Sequence, residues 1–180
     1  VDERASCREG VFDRTGEEDG WADLVVVAQA WHWCPDFDKA LAEFSRVLKP
    51  GGVVALIWNL EDIDVAWVAA NRKAYEAHEQ GTPQFRLGLW RKMYQVPAIR
   101  FFSRQEEREV TWTLPTTVDR VVERVFTKSY VAVLDQDEKD RLRNTIKANT
   151  EKGEGLVWID REQGTFEYPH KNLVVILKKD

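Results

Sequence analysis

Two stretches of the sequence decide the fold: WADLVVVAQAWHWC at residues 21–34 and ALAEFSRVLKPGGVVALIWN at residues 40–59. The Val-rich run Ala22–Ala28 and the apolar run Val53–Trp58 each predict a parallel strand that is buried on both faces. Between them, apolar residues spaced by four, three and four positions predict one face of a helix: Phe37, Leu41, Phe44 and Leu48. Pro35-Asp36 favours the start of this helix, and Lys-Pro-Gly-Gly at residues 49–52 favours its end. Strand, helix and strand with short connections predict a right-handed βαβ unit.

The pattern changes after Asn59 to helices with a few strands. Asp135 and Glu138 have the spacing of a capping box, which predicts the start of a helix. The predicted helices cover Ala66–Glu79, Phe85–Tyr94, Thr117–Thr127 and Asp135–Asn149. The predicted strands are Arg108–Leu114, a hairpin of Leu156–Ile159 with Thr165–Tyr168, and a final strand Leu173–Leu177. We predict one α/β domain over residues 1–180, with the βαβ unit at 1–60, a helical region with one strand at 61–150 and C-terminal strands at 151–180.

Composition narrows the class of partner. The formal net charge is −5 and no basic run exists beyond Lys178 and Lys179, which argues against binding of nucleic acid. The longest apolar runs are too short to cross a bilayer, so no membrane partner is expected. Cys7 and Cys34 are too few for a disulfide framework and no apolar leader is present, so the expected location is cytoplasmic. The His and Cys residues lack metal-ligand spacing, and no metal is expected.

The two stretches also resemble a known family. A strand ending in Gln-Ala-Trp-His-Trp, a helix ending in Arg-Val-Leu-Lys-Pro-Gly-Gly and a strand ending in Trp-Asn are similar to the second half of class I S-adenosylmethionine (SAM) dependent methyltransferases. The resemblance is greatest to a fungal and bacterial group of small-molecule enzymes of the trans-aconitate type. It implies the C-terminal part of a Rossmann-like sheet, with parallel strands, an antiparallel final strand and a helical insert. It also implies SAM as cofactor and a small-molecule methyl acceptor.

The resemblance implies a set of site residues, because ligands of open α/β sheets bind beyond the carboxyl ends of the parallel strands. The implied cofactor residues are Gly10, Val11 and Phe12, which border the adenine ring, and Gln29, Ala30 and Trp31, which border the methionine end. The implied substrate residues are Trp31, His32, Trp33 and Asn59. His32 is the candidate catalytic residue, and its sequence position leaves a structural role equally open. Four other Trp residues are expected in the core: Trp58, Trp67, Trp112 and Trp158.

Two parts of the family pattern are not found in the sequence. These are the Gly-rich turn after the first strand and the acidic residue that holds the ribose hydroxyls. On the resemblance, the first strands lie upstream of Val1, and Leu24–Ala28 is left as an apolar sheet edge. We therefore expect a homo-oligomer, or a sheet completed by an N-terminal segment. The alternative function is a non-catalytic binding or regulatory protein derived from a methyltransferase. A nicotinamide-dependent oxidoreductase shares the architecture, but its own Gly-rich fingerprint is also absent.

Overall fold

The computed structural model describes residues 3–180, which form two compact units. Unit 1 comprises residues 3–58, 83–108 and 173–180, and unit 2 comprises residues 59–82 and 109–172. Three long strands carry residues of both units. The predicted single domain with its three-part division stays a prediction.

The βαβ unit of unit 1 is confirmed. It consists of β1 (Ala22–Ala28), α1 (Phe37–Val47) and β2 (Leu48–Glu61), and β1 pairs with β2 in parallel. Asp36 caps the N-terminus of α1, because its side chain accepts a hydrogen bond from the backbone N–H of Lys39 at 3.1 Å. The helix ends at Val47, one residue before Leu48, the last residue of the predicted apolar face. Its apolar stripe packs in the core with β1 and β2.

Burial of β1 on both faces was a wrong prediction. The side chains of Leu24 and Val26 are 53% and 51% exposed. The sheet has the order β1-β2-β5-β3, so β1 has a neighbour on one side only among the described residues. An edge strand keeps its apolar composition but loses the cover that a second neighbour and its helix supply. The expected apolar edge is therefore present.

The second strand starts earlier than predicted. β2 begins at Leu48 and includes the Lys-Pro-Gly-Gly turn, because Leu48 already pairs with Ala22 before the register shifts. Gly51 adopts a φ of 77°, which favours glycine. Gly52 lies against backbone: a Cβ there would come within 2.9 Å of the Lys49 carbonyl oxygen. Both glycines are thus needed for the backbone to leave the helix and enter the strand directly.

The predicted helix Phe85–Tyr94 is wrong as a single element. The chain forms 3₁₀ turns at Phe85–Leu87, Leu89–Gln95 and Pro97–Phe101. Gly88 interrupts the first two with a φ of 68°, a conformation that ends a helix. These turns still place Trp90 and Met93 in the core of unit 1. The predicted helical segment is thus present as 3₁₀ turns.

Unit 2 is mainly helical. It contains α2 (Ala66–Glu76), α3 (Val118–Phe126), α4 (Ser129–Ala132) and α5 (Gln136–Glu151). The predicted cap of α5 is confirmed, because Asp135 accepts a hydrogen bond from the Glu138 N–H at 2.8 Å. The core of this unit is formed by α2, α3 and α5 with residues of β5.

Three strands remain among the described residues; two are longer than predicted and one, the first strand of the hairpin, is shorter. They are β3 (Phe102–Thr116), β4 (Trp158–Asp160) and β5 (Thr165–Lys179), and β4 and β5 form the predicted antiparallel hairpin. The sequence analysis predicted the final strand as a separate element. In the structure it is the continuation of the second strand of the hairpin. The strand continues through residues 169–172, where the carbonyl of Pro169 accepts a hydrogen bond from the Asp62 N–H at 2.9 Å.

The four Trp residues assigned to the core divide evenly. Trp58 and Trp67 are buried, as predicted, while Trp112 and Trp158 are each 39% exposed, so the prediction was wrong for them. Both exposed Trp residues lie on strands of unit 2, where the alternation of a strand leaves one face open to solvent. Among residues 3–180, no helix combines the length and the apolar character needed to cross a membrane.

Candidate cofactor and substrate site

A cavity of about 640 Å³ lies beside the carboxyl end of β1 in unit 1. Three segments form it: the loop before β1, the strand end with the residues that follow it, and α1. Apolar groups dominate the wall, and the polar residues that also line it are Arg8, Glu9, Asp13, Thr15 and Asp36. Its apolar lining residues are Val11, Phe12, Val25–Ala28, Ala30 and Phe44. A largely apolar cavity of this volume with a few polar groups is typical of a site for a small molecule.

The loop before β1 is tied to α1 by a buried carboxylate. Glu43 on α1 accepts hydrogen bonds from both the backbone N–H and the hydroxyl of Thr15, at 2.8 and 2.7 Å. Arg46 donates to the same carboxylate at 2.8 Å, and this bond, with those from Thr15, lowers the pKa of Glu43 to about 2. The carboxylate is therefore ionised at neutral pH. It fixes the loop that carries Gly10, Val11 and Phe12 against the helix.

The residues after β1 turn sharply into the site. Gln29 has a φ of 54°, and its N–H donates to the Ile57 carbonyl at 2.8 Å. Ala30 lines the cavity, and residues 31–33 then form one 3₁₀ turn. A non-glycine residue in the left-handed region is uncommon, and such strain is often found at ligand sites. The turn redirects the chain where the parallel strand ends.

Trp31 lies in the core and does not line the cavity. Its ring is fully buried, lies edge-on to Phe12 at a centroid distance of 5.8 Å, and packs against Phe37 on α1. Its indole N–H points at the sulfur of Met93, with the nitrogen 3.0 Å from Sδ. This arrangement supports the ring of Phe12, which does line the cavity. The predicted contact of Trp31 with cofactor and substrate stays a prediction.

His32 is held by a tryptophan. The indole Nε1–H of Trp58 donates to Nδ1 of His32 at 3.1 Å, and burial lowers the pKa of this imidazole. A donated hydrogen bond requires the lone pair of Nδ1, so the neutral ring carries its proton on Nε2. Trp33 is next to it, with 5.5 Å between the ring centroids, and is 46% exposed. In this state His32 can donate a hydrogen bond from Nε2 and has no free basic nitrogen.

The predicted residues fall into three places. Gly10, Val11, Phe12 and Ala30 are brought together at the cavity of unit 1. Gln29, Trp31, His32 and Trp33 belong to the turn that follows β1. Asn59 belongs to unit 2, where it lines a second cavity of about 200 Å³.

Sequence reasoning missed several residues that line the first cavity, among them Asp13, Cys34 and Phe44. Phe44 was recognised as part of the apolar stripe of α1, and nothing in that periodicity separates a core residue from a cavity wall. Cys34 is buried next to the turn, and burial raises the pKa of its thiol to about 11. The thiol is therefore protonated at neutral pH and acts as an apolar part of the wall.

Comparison with known proteins gives a consistent picture. Residues 2–56 match the methyltransferase domain family. An uncharacterised methyltransferase of Mycobacterium tuberculosis is 34% identical over 122 residues, which are 67% of this chain and 45% of that protein. An uncharacterised methyltransferase-like protein of Schizosaccharomyces pombe is 34% identical over 88 residues, which are 49% of this chain and 34% of that protein. The chain thus spans between a third and a half of the length of these curated relatives.

Solved structures show the same fold at low sequence identity. A candidate type II methyltransferase of Anaeromyxobacter dehalogenans aligns with a TM-score of 0.53 and 20% identity, over 93% of this chain and 68% of that one. A candidate methyltransferase of Bacillus halodurans aligns with a TM-score of 0.50 and 19% identity, over 94% of this chain and 75% of that one. The architecture is therefore the α/β, Rossmann-like fold of methyltransferases, with a mixed sheet. The domain match, the relatives and the fold together support a class I SAM-dependent methyltransferase.

Proposed function

We propose that this chain is part of a SAM-dependent methyltransferase that acts on a small molecule, and that the cavity of unit 1 holds the adenine end of the cofactor. The observation that carries the proposal is the position of this cavity. It is lined by residues of the segment that matches the methyltransferase domain, at the carboxyl end of a parallel strand. When bound, SAM supplies the methyl group of a sulfonium for transfer to a nucleophilic atom.

The residues present fit an adenine ring. Val11, Phe12 and Phe44 offer apolar surface to a flat aromatic group, and the volume of about 640 Å³ exceeds the need of the ring alone. The carboxylate of Asp13 can accept hydrogen bonds from an exocyclic amino group. No carboxylate recognisable as the family's ribose-binding residue is present in the sequence. The ribose and methionine ends therefore need further groups.

We further propose that His32 positions the methyl acceptor. Because Trp58 occupies Nδ1, the neutral ring presents Nε2–H as a donor. A donor of this kind can orient a carbonyl, carboxylate or hydroxyl oxygen, and alignment of the reactants is the main requirement of methyl transfer. The neighbouring Trp33, which is partly exposed, offers an aromatic face to the same ligand or to the sulfonium.

We propose that the open edge of β1 is covered by a further strand of the same protein. The exposed Leu24 and Val26 lie on this edge strand, and the curated relatives are more than twice as long as the part they share with the chain. A second copy of the chain is the other possible cover. Light scattering, which measures the mass in solution, distinguishes these two kinds of cover. If the chain is a dimer and Val26→Lys converts it to a monomer, a second copy covers the edge, and the proposal of cover by the same protein is contradicted.

The cofactor proposal is tested by calorimetric titration of this chain with S-adenosylhomocysteine and with adenosine. Because the cavity already supplies the adenine contacts, we expect both ligands to bind saturably, with a dissociation constant of about 1 mM or lower. Val11→Asp should weaken both by roughly 10-fold, since it places a carboxylate in the apolar wall. Val133→Asp is the matched control, because Val133 is exposed and lies outside the cavity.

Two results would overturn the assignment: no saturation by either ligand at about 10 mM, or equal loss of affinity in the two variants. The alternative function, a non-catalytic binding or regulatory protein, is separated by a second assay. Binding of S-adenosylhomocysteine by the longest natural protein that contains this chain, without methyl transfer to any small acceptor, would favour it.

We expect this protein to act in the cytoplasm, since Cys7 and Cys34 are both unpaired.

A further inference from the structure

The second cavity has a lining unlike that of the first. It lies in unit 2, measures about 200 Å³, and is formed by the end of β3, by α3 and by residues of β5. Its lining residues are Asn59, Leu114, Pro115, Thr116, Arg120, Arg124, Tyr168 and His170. Two of these are arginines and none is a carboxylate. At about 30 Å³ for a water molecule, the cavity has room for roughly six or seven groups of that size.

The two arginines share one face of α3. Arg120 and Arg124 are four residues apart, so their side chains project from the same side of the helix. Arg120 forms no ion pair with any residue in the described range 3–180. Arg120 lines the cavity, and the five N–H donors of its guanidinium are available for a ligand or for water.

Nearby charge does not neutralise this pair. Glu61 is the buried carboxylate of the unit, and Arg124 approaches it with 3.5 Å between Nε and Oε1. The ammonium of Lys128 is closer to the same carboxylate, with 3.2 Å between Nζ and Oε1, and it carries a second positive charge. Two cations thus share one carboxylate, and Arg120 adds a third positive charge. The cluster has an excess of positive charge that a bound anion would balance.

Two buried rings, those of Tyr168 and His170, also line the cavity. Tyr168 and His170 are both buried, and Nδ1 of His170 lies 2.8 Å from the carbonyl oxygen of Tyr168, a distance at which Nδ1–H donates to it. Trp112 stacks on the imidazole of His170, with 4.9 Å between ring centroids and an interplanar angle of 26°. The stacked ring keeps His170 in one orientation.

We propose that this cavity is a binding site for a small oxyanion, a carboxylate or a phosphate group, held by Arg120 and Arg124. Guanidinium groups match the geometry of both anions, because their planar N–H donors meet two oxygens at once. The volume excludes a nucleotide as the whole occupant. The inference does not depend on methyl transfer or on the adenine cavity, and its test measures binding directly.

The test is a titration of the chain with succinate and, separately, with inorganic phosphate, at constant ionic strength maintained with NaCl. Binding is followed by calorimetry and by the NMR signal of the Trp112 indole N–H, since this ring stacks on a residue of the cavity wall. We expect at least one of the two anions to saturate with 1:1 stoichiometry at millimolar concentration. The tighter of the two identifies the chemical group for which the site is built.

Three variants locate the site. Arg120→Gln should weaken binding by roughly 10-fold or more, because it removes a charged donor at an exposed position without disturbing the core. Arg120→Lys keeps the charge but loses the paired donors, and should fall between Arg120→Gln and the wild type. Arg141→Gln, an equal loss of charge on exposed α5 outside the cavity, should change the affinity by less than about 2-fold. The proposal is overturned if neither anion saturates by about 50 mM, or if Arg141→Gln weakens binding as much as Arg120→Gln.

Discussion

Trp58→Phe should raise the pKa of His32. In the wild type the Trp58 indole donates to Nδ1 at 3.1 Å, which stabilises the neutral ring, and burial lowers the pKa further. Protonation of Nδ1 would direct two N–H groups at each other. Phenylalanine removes the donor, so the protonated ring loses this penalty. A net hydrogen-bond free energy of about 1 kcal/mol corresponds to a rise of about 0.7 pKa unit.

Trp90→Phe is the matched control for this experiment. Trp90 is as buried as Trp58, and their rings lie 4.7 Å apart in the same cluster. Its Nε1–H, however, has no hydrogen-bond partner among the described residues. Both variants lose the same ring volume, so the difference between them isolates the hydrogen bond to His32. Trp90→Phe should leave the pKa of His32 close to that of the wild type.

The two variants should also differ in stability. Trp58→Phe loses a net hydrogen bond, worth about 1 kcal/mol, whereas Trp90→Phe removes a buried donor without a partner, which costs the wild type about 1–3 kcal/mol. Urea unfolding should therefore show Trp58→Phe to be less stable than Trp90→Phe by about 2 kcal/mol or more. The pKa is measured by NMR titration of the imidazole carbon protons, with His78 and His170 as internal references. An unchanged or lower pKa of His32 in Trp58→Phe would refute the assigned tautomer.

Three further changes test other parts of the structure. The pKa of Glu61 is lowered to about 2, because the charge of Lys128, a backbone hydrogen bond and the charge of Arg124 outweigh the effect of burial. This carboxylate should therefore take about 3 kcal/mol from the stability of the wild type as the pH drops from about 4.5 to 2. Glu61→Gln should be less stable at pH 7 and should decline by about 3 kcal/mol less than the wild type over this range, since Glu43 titrates in both proteins; equal declines in urea unfolding would contradict the prediction. Gly52→Ala should destabilise the protein by at least about 1 kcal/mol in thermal unfolding, because its Cβ meets the Lys49 carbonyl, and no loss would show that the turn relaxes. Asp135→Ala should cost about 1 kcal/mol through loss of the α5 cap, whereas Asp135→Asn should retain most of it, and equal losses would argue against capping.

The local elements were predictable where a single physical rule governs them. The starts of α1 and α5 follow from the capping side chains Asp36 and Asp135, which interact within three residues of themselves. The pairing of β1 with β2 follows from the short connections of a βαβ unit. The lengths of β3 and β5 were not predictable, because a strand ends where its partner ends, and its partners are distant in sequence.

The candidate site shows the same division. The sequence indicated that the loop at Gly10–Phe12 and the residues after β1 belong together, and the structure brings Ala30 and Phe12 to one cavity. It did not indicate that Trp31 faces the core, because a tryptophan after a strand suits both a ligand and a hydrophobic interior. Nor did it predict the hydrogen bond from Trp58 to His32, whose partners are 26 residues apart.

The sequence by itself determined the family and the order of the first elements, since these depend on short motifs and on periodicities of two and 3.6 residues. Only the tertiary structure decided which side chains meet. The protonation of His32, the arginine-lined cavity of unit 2 and the charge balance around Glu61 all arise from contacts between residues that are far apart in the chain. The physical reason is that the electrostatics of a side chain depends on burial and on charges within a few ångströms, and both are properties of the folded chain.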